Sequence, residues 1–229
     1  MSKKDYLNTI PEFYNNKIKA SFSLKNFSYS SKGGRSLFAK KNGYYFKNLI
    51  IPEQKHSINV SFCHDAGTIS NCDGVFTNNI QNACSIQVAD CMPIFFCHCR
   101  LPVFGAVHAG WRGLVDGILG VTSNLLSNKE YNLSDFEVII GPSIQKCCFE
   151  VKDDILSNFN KNFIKYSHNN ITKIDLQGHA VHDLVNIGFD KSKIIKMGEC
   201  TFCEKDRFHS YRRDGSCSGR MFGIIGFNH

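Results

Sequence analysis

Ala83-Cys-Ser-Ile-Gln-Val-Ala-Asp-Cys-Met-Pro-Ile-Phe-Phe-Cys97, followed by Val103-Phe-Gly-Ala-Val-His-Ala-Gly-Trp-Arg-Gly113, is the stretch on which the fold turns. Ala83–Ala89, Pro93–Cys97 and Val103–His108 are strand-length apolar runs without Lys, Arg, Asp or Glu, the pattern of strands buried on both faces. A glycine turn follows His108. Leu114, Ile118, Val121 and Leu125 then recur at steps of four, three and four, which predicts a helix. Further along, Asp135–Ile140, Lys193–Met197 and Met221–Phe227 predict strands, and Asp153–Asn160 and Gln177–Ile187 predict helices. Upstream, residues 1–50 are rich in Lys, Asn, Ser and aromatics and predict short strands with a flexible loop at Ser30–Arg35. Strands and helices are intermixed, so the class is α/β or α+β with a mixed sheet. No Pro/Gly/Ser linker divides the chain, and residues 1–229 are expected to form one domain.

Composition narrows the function classes. At 229 residues, 42% hydrophobic and 21% charged, the chain can bury a core without staples. The apolar runs are too short to span a membrane, and Met1-Ser-Lys-Lys-Asp5 lacks an apolar run, so secretion is not expected. Eleven cysteines make an odd count that does not suit a secreted disulfide framework, so reduced thiols in a cytoplasmic protein are expected. The net charge of +7 lies in the first 50 residues, with ten Lys/Arg against two Asp/Glu. This is a solvated basic face or an anion-attracting rim. No aromatic–basic RNA motif accompanies it, so no nucleic-acid partner is expected.

His56, Cys91 and His108 stand 35 and 17 residues apart. Zinc fingers bring ligands in close pairs. Three ligands from separate segments suit a catalytic ion that keeps its fourth position open. Spacing alone is a weak signal, because eleven Cys and nine His offer many such triples, and His64 rivals His56. The setting of His108 strengthens it. A histidine at a strand end, before a glycine turn and a helix, sits where α/β proteins place ligands. The helix start near Leu114 predicts exposed N–H groups, and Arg112 adds a cation able to grip phosphate.

Ser210-Tyr-Arg-Arg-Asp-Gly215 holds two adjacent arginines. On a strand they point to opposite faces, so one can reach a site while the other pairs with Asp214. Cys200-Thr-Phe-Cys203 has no second C-x-x-C to complete a four-cysteine site. It reads as two local thiols, and Cys147-Cys148 and Cys97-His-Cys99 read the same way.

Together the segments resemble the YfiH-like family, long called multicopper polyphenol oxidase or laccase-domain proteins and described as zinc-dependent purine nucleoside phosphorylases with adenosine deaminase activity. The matches are Gln54-Lys-His-Ser57, Asp73-Gly-Val-Phe-Thr77, Val88-Ala-Asp-Cys-Met-Pro93, Ala106-Val-His-Ala-Gly-Trp-Arg-Gly113, Ile140-Gly-Pro-Ser-Ile144, Cys148-Phe-Glu-Val151, Phe208-His-Ser-Tyr-Arg-Arg-Asp-Gly215 and Ser218-Gly-Arg-Met221, in family order. The resemblance implies a layered α/β/β/α fold with mixed β-sheets and a zinc site on His56, Cys91 and His108. It selects His56 over His64. The first 50 residues depart from the pattern: the family's Gly-Gly-Val-Ser loop is represented only by Lys32-Gly-Gly-Arg-Ser36.

The expected activity is phosphorolysis of purine nucleosides (adenosine, inosine, methylthioadenosine) to base and ribose 1-phosphate, with deamination of adenosine. The expected partners are a purine nucleoside and inorganic phosphate, with the chain a monomer or homodimer. Cys91, His108 and Asp90 are the candidate catalytic residues. Arg112, Ser143, Tyr211 and Arg212 are the candidate substrate and phosphate contacts. Three other readings keep some of these residues. A cysteine hydrolase or amidase uses Cys91 as nucleophile and His108 as base. Editing of cell-wall precursors is another. Copper phenol oxidation needs histidines in His-x-His pairs, and none occurs among the nine. Adventitious copper still suits Cys/His donors, since copper outranks zinc in affinity.

Overall fold

The computed structural model describes residues 7–8, 13, 15, 17–27, 31–166 and 171–227. Two six-stranded mixed sheets lie at its centre. The first runs Leu7–Asn8, Ile18–Ser23, Met221–Phe227, Ala83–Val88, Leu49–Pro52, Gly67–Ile69. The second runs Ile194–Lys196, Phe136–Ile140, Met92–His98, Phe104–Ala109, Gly74–Thr77, Val60–Phe62. A small third sheet joins Glu150–Val151, Thr172–Ile174 and Ile164–Tyr166.

Alternation along the strands explains the layering. In Met92–His98, Ile94 and Phe96 face one core while Phe95 and Cys97 face another. Phe136–Ile140 repeats this, with Val138 and Ile140 on one side and Ile139 on the other. Phe95, Ile139, Ala106, Ile86 and Ile225 fill the core between the two sheets. Beyond the second sheet, α3 (Ile118–Ser127) and α5 (Leu176–Ile187) bury Ile118, Leu119, Leu126, Ala180 and Leu184 against Ile94, Val107 and Val138. Beyond the first, α1 (Ser31–Lys41) buries Phe38 and Ala39 against Leu49, Phe222 and Ile224. The order is α/β/β/α. A strand covered on both faces needs apolar residues throughout, which is why these runs lack the polar alternation of half-exposed strands.

Several local expectations are corrected. Most of the stretch expected as a loop at Ser30–Arg35 lies in α1, while Ser30 itself lies outside the described residues. Gly33 and Gly34 sit inside the helix, and a Cβ on Gly34 would meet the Phe222 ring at 2.9 Å. Close packing, not a turn, accounts for that glycine. The helix expected from Leu114 is two helices, α2 (Trp111–Val115) and α3, broken at Gly117 with φ of +98°. Asp153–Asn160 yields only α4 (Asp153–Leu156). The arginine pair lies on α6 (Tyr211–Asp214), not on a strand; Ser210 caps it by accepting from the Arg213 N–H. Among the described residues, no helix is long and apolar enough to cross a membrane.

Candidate metal centre

Cys91 ends the short link from Ala83–Val88 into Met92–His98, and His108 lies near the end of the neighbouring strand, which pairs with it. These two residues are adjacent because the strands are. His56 arrives from the loop between Leu49–Pro52 and Val60–Phe62. The donor atoms of the three side chains all lie within 4.8 Å of one another. His56 Nε2 is 3.7 Å from Cys91 Sγ, and the two imidazole rings meet edge-on at 4.9 Å. Two residues of this corner, His56 (φ +58°) and Asp90 (φ +80°), hold left-handed backbone that residues other than glycine seldom adopt, a strain typical of functional sites. Gly110 leaves the space the donors use. A Cβ there would sit 2.7 Å from His56 Cδ2 and 3.1 Å from Cys91 Sγ.

One carboxylate holds both histidines. Asp73 is fully buried beside the strand pair. Its Oδ1 accepts from the His56 N–H at 3.1 Å and from His108 Nδ1 at 2.8 Å. Its Oδ2 accepts from the Lys55 N–H, the Ser57 N–H and the Ser57 hydroxyl at 3.1, 2.7 and 2.7 Å. Burial alone would push the Asp73 carboxyl up, but the bonds from His108, Ser57 and Lys55 hold it well below the usual range. As an ionised carboxylate it only accepts, so His108 Nδ1 carries a hydrogen and Nε2 is left for the site. Gln54 pins the same loop to the first sheet, donating to the Gln87 carbonyl at 2.8 Å and accepting from its N–H at 2.9 Å.

The electrostatics favour an anionic sulfur. Burial raises the Cys91 thiol, but the charge of His108 and hydrogen bonds from both histidines outweigh it and bring it down to about 6. Burial lowers His108, and the Cys91 and Asp73 charges outweigh that and raise it to about 9. One thiolate and two imidazoles, with the second nitrogen of one held by a carboxylate, match the donor chemistry of a catalytic divalent-ion site.

The trio lies in a cleft of about 620 Å³. Val88, Ile144, Phe149 and Leu176 give it apolar walls, and Trp111 and Tyr211 give it aromatic ones. Arg112, Arg212 and Arg220 bring cations to it. The Arg112 guanidinium lies 4.4 Å over the Trp111 ring. Arg212 donates to the Glu150 carbonyl at 2.9 Å and lies over Phe149. Arg213 turns away. Its guanidinium grips Asp214 and the carbonyls of Thr201, Phe202 and Phe208.

Other candidates fall in different places. Asp90 lines the cleft, but its carboxylate accepts from Thr201 Oγ1 at 2.6 Å, from Ser210 Oγ at 3.0 Å and from the Arg212 N–H at 2.6 Å. Ser143 is fully buried, its hydroxyl accepting from Gln177 and Gln145, and it lies outside the cleft lining. The Leu114 N–H bonds to the Gly110 carbonyl and is not available to an anion. His64 is exposed and pairs with Asp65. Sequence reasoning missed the roles of Asp73, Gln54 and Arg220. All three lie within motifs quoted for the resemblance, so the available signal was a polar residue inside such a motif.

A family model described as multi-copper polyphenol oxidoreductase laccase matches residues 21–228. The chain is 32% identical over 204 residues to a purine nucleoside phosphorylase of Haemophilus influenzae, covering 86% of this chain and 81% of that protein. It is 28% identical over 207 residues to adenosine deaminase RL5 from an unknown prokaryotic organism, covering 82% of this chain and 78% of that one. In fold it is similar to the crystal structure of YlmD from Geobacillus stearothermophilus, with a TM-score of 0.91 at 23% identity, covering 100% of this chain and 98% of that one.

Proposed function

Because this chain belongs to the multi-copper polyphenol oxidoreductase laccase family, within which the YfiH-like proteins fall, we propose that it is a zinc-dependent purine nucleoside phosphorylase that also deaminates adenosine. The observation that carries the reading is the His56–Cys91–His108 trio, three donors within 4.8 Å, opening on a cleft with three arginines. Bound by these residues, a divalent ion supplies a Lewis acid that acidifies water or polarises a substrate atom. Three protein donors are one fewer than a closed tetrahedral structural site uses.

The remaining roles belong to the chain. In phosphorolysis a phosphate oxygen bonds to C1′ of the nucleoside as the bond from C1′ to the purine nitrogen breaks, giving ribose 1-phosphate and the base. Arg112, Arg212 and Arg220 hold the phosphate and offset its charge as it approaches. Trp111, Phe149 and Tyr211 offer flat faces to the base. A cleft of about 620 Å³ has room for nucleoside and phosphate together. Asp90, with its oxygens engaged by Thr201, Ser210 and Arg212, sets the position of the arginine segment. Deamination in the same cleft replaces the 6-amino group by oxygen from water and releases ammonia.

A second reading rests on a specific observation. Cys91, His108 and Asp73 also form a nucleophile–base–carboxylate relay, with the thiol lowered to about 6. That is the equipment of a cysteine hydrolase. Incubation of zinc-assayed protein with adenosine and phosphate, with products identified by mass, separates the two. Adenine with ribose phosphate, or inosine, dependent on zinc and lost to a chelator, is the expected result. Turnover that survives chelation but not alkylation of Cys91 sinks the metal reading.

A further inference from the structure

Far from the trio in sequence, a second donor cluster stands at the surface. The sulfurs of Cys147, Cys148, Cys200 and Cys203 all lie within 4.8 Å of one another. Cys203 Sγ is 3.7 Å from Cys147 Sγ and 3.2 Å from Cys148 Sγ. We propose that these four cysteines form a second metal site, closed and structural, that takes one zinc ion.

The geometry favours an ion over its two rivals. Four thiolates at ~2.3 Å from one zinc lie ~3.8 Å apart along each tetrahedron edge. The observed separations are near that edge, whereas a disulfide needs a bond of ~2.05 Å. Hydrophobic packing is the other rival. Cys147 and Cys203 are exposed, and an exposed thiol gains nothing from burial.

The two cysteine-bearing turns are joined before any ion arrives. Ser143 bridges to Cys200, with the Ser143 N–H donating to the Glu199 carbonyl and the Thr201 N–H to the Ser143 carbonyl. Lys173 donates to the Cys147 carbonyl at 2.7 Å, a cation beside a site that would carry excess negative charge. An ion here ties the turn leading to Phe149 to the turn holding Thr201, the Asp90 partner. Phe149 is a wall of the cleft. The second site therefore braces the cleft without lining it.

The test is zinc content per chain of the full-length protein, purified with reductant and without chelator. The wild type is expected to hold two zinc ions, Cys203→Ser one, and Cys91→Ala one. A wild type with a single zinc that Cys91→Ala loses and Cys203→Ser keeps overturns the second site and leaves the first standing. A single zinc with the opposite pattern supports this site and overturns the trio. Should Cys203→Ser fail to fold, native thiol labelling of the wild type decides. Zinc is expected to shield Cys147, Cys148 and Cys203, with chelation exposing them; Cys200 is buried in either state. Labelling of Cys147, Cys148 and Cys203 that zinc does not change rules the site out.

Discussion

Two sulfur-bearing corners of this molecule differ in almost every respect that matters to a metal. The trio of His56, Cys91 and His108 lies in a cleft, with a buried carboxylate behind it and arginines beside it. The quartet of Cys147, Cys148, Cys200 and Cys203 lies on two surface turns, with four like donors and no fourth corner left over. Donor count separates reactivity from bracing. Three ligands leave room for a reactant, and four thiolates leave none. The supporting bonds differ as well. Asp73 fixes the ring and the loop that aim two donors, while the quartet is aligned by backbone bonds between turns.

Substitutions that strike one corner and spare the other break or sharpen this contrast. Cys91→Ala has the largest expected effect: turnover of adenosine falls to background and one zinc is lost, while the far-ultraviolet circular dichroism is unchanged. Full turnover in that variant would place the chemistry elsewhere. Gly110→Ala comes next. Its new Cβ, 2.7 Å from His56 and 3.1 Å from the Cys91 sulfur, displaces both by a fraction of an ångström or more. A misplacement of that order lowers kcat/KM by ~100-fold. Zinc assays should show the quartet still filled. Asp73→Asn is milder for the chemistry, weakening trio zinc affinity and activity by ~10–100-fold as expected for the partner of a ligating histidine. Equal activity of the Asp73→Asn variant and the wild-type protein at limiting zinc would show that Asp73 serves the loop alone.

Legibility in the sequence follows the range of the forces involved. The central strands could be read because burial on both faces leaves an apolar run, as in Met92–His98, whatever lies around it. Met221–Phe227 was readable on the same ground. Where a tertiary contact overrides local preference the reading failed: a polar, basic stretch was expected as a loop at Ser30–Arg35, and most of it is helix, with Gly34 packed on Phe222. The trio's residue types were visible, but choosing His56 over His64 needed the motif around it. Asp73 lay in plain view within a motif, yet its role exists only once two distant backbones converge on it. The quartet was illegible for a related reason. Cys147 and Cys203 are 56 residues apart, and an isolated C-x-x-C says nothing about the turn that will face it.

Proton release gives the mildest and broadest separation of the two corners. A ligand protonated without metal must lose its proton when the ion binds, so affinity falls with pH by ~tenfold per unit for each such proton. At the trio, Cys91 is lowered to about 6 and is already a thiolate at pH 7.5, while His108, raised to about 9, still holds its proton. The His108 proton leaves between those limits, and the slope steepens further as the pH approaches the lowered Cys91 value of about 6. At the quartet, burial and the neighbouring sulfurs push Cys147 up to about 11 and Cys148 higher still, so at least two protons leave there over the same range. Zinc competition titrations from pH 8 to pH 6 should therefore show a steeper loss of affinity at the quartet than at the trio. Equal slopes would mean that the two corners do not differ in the way their donors do.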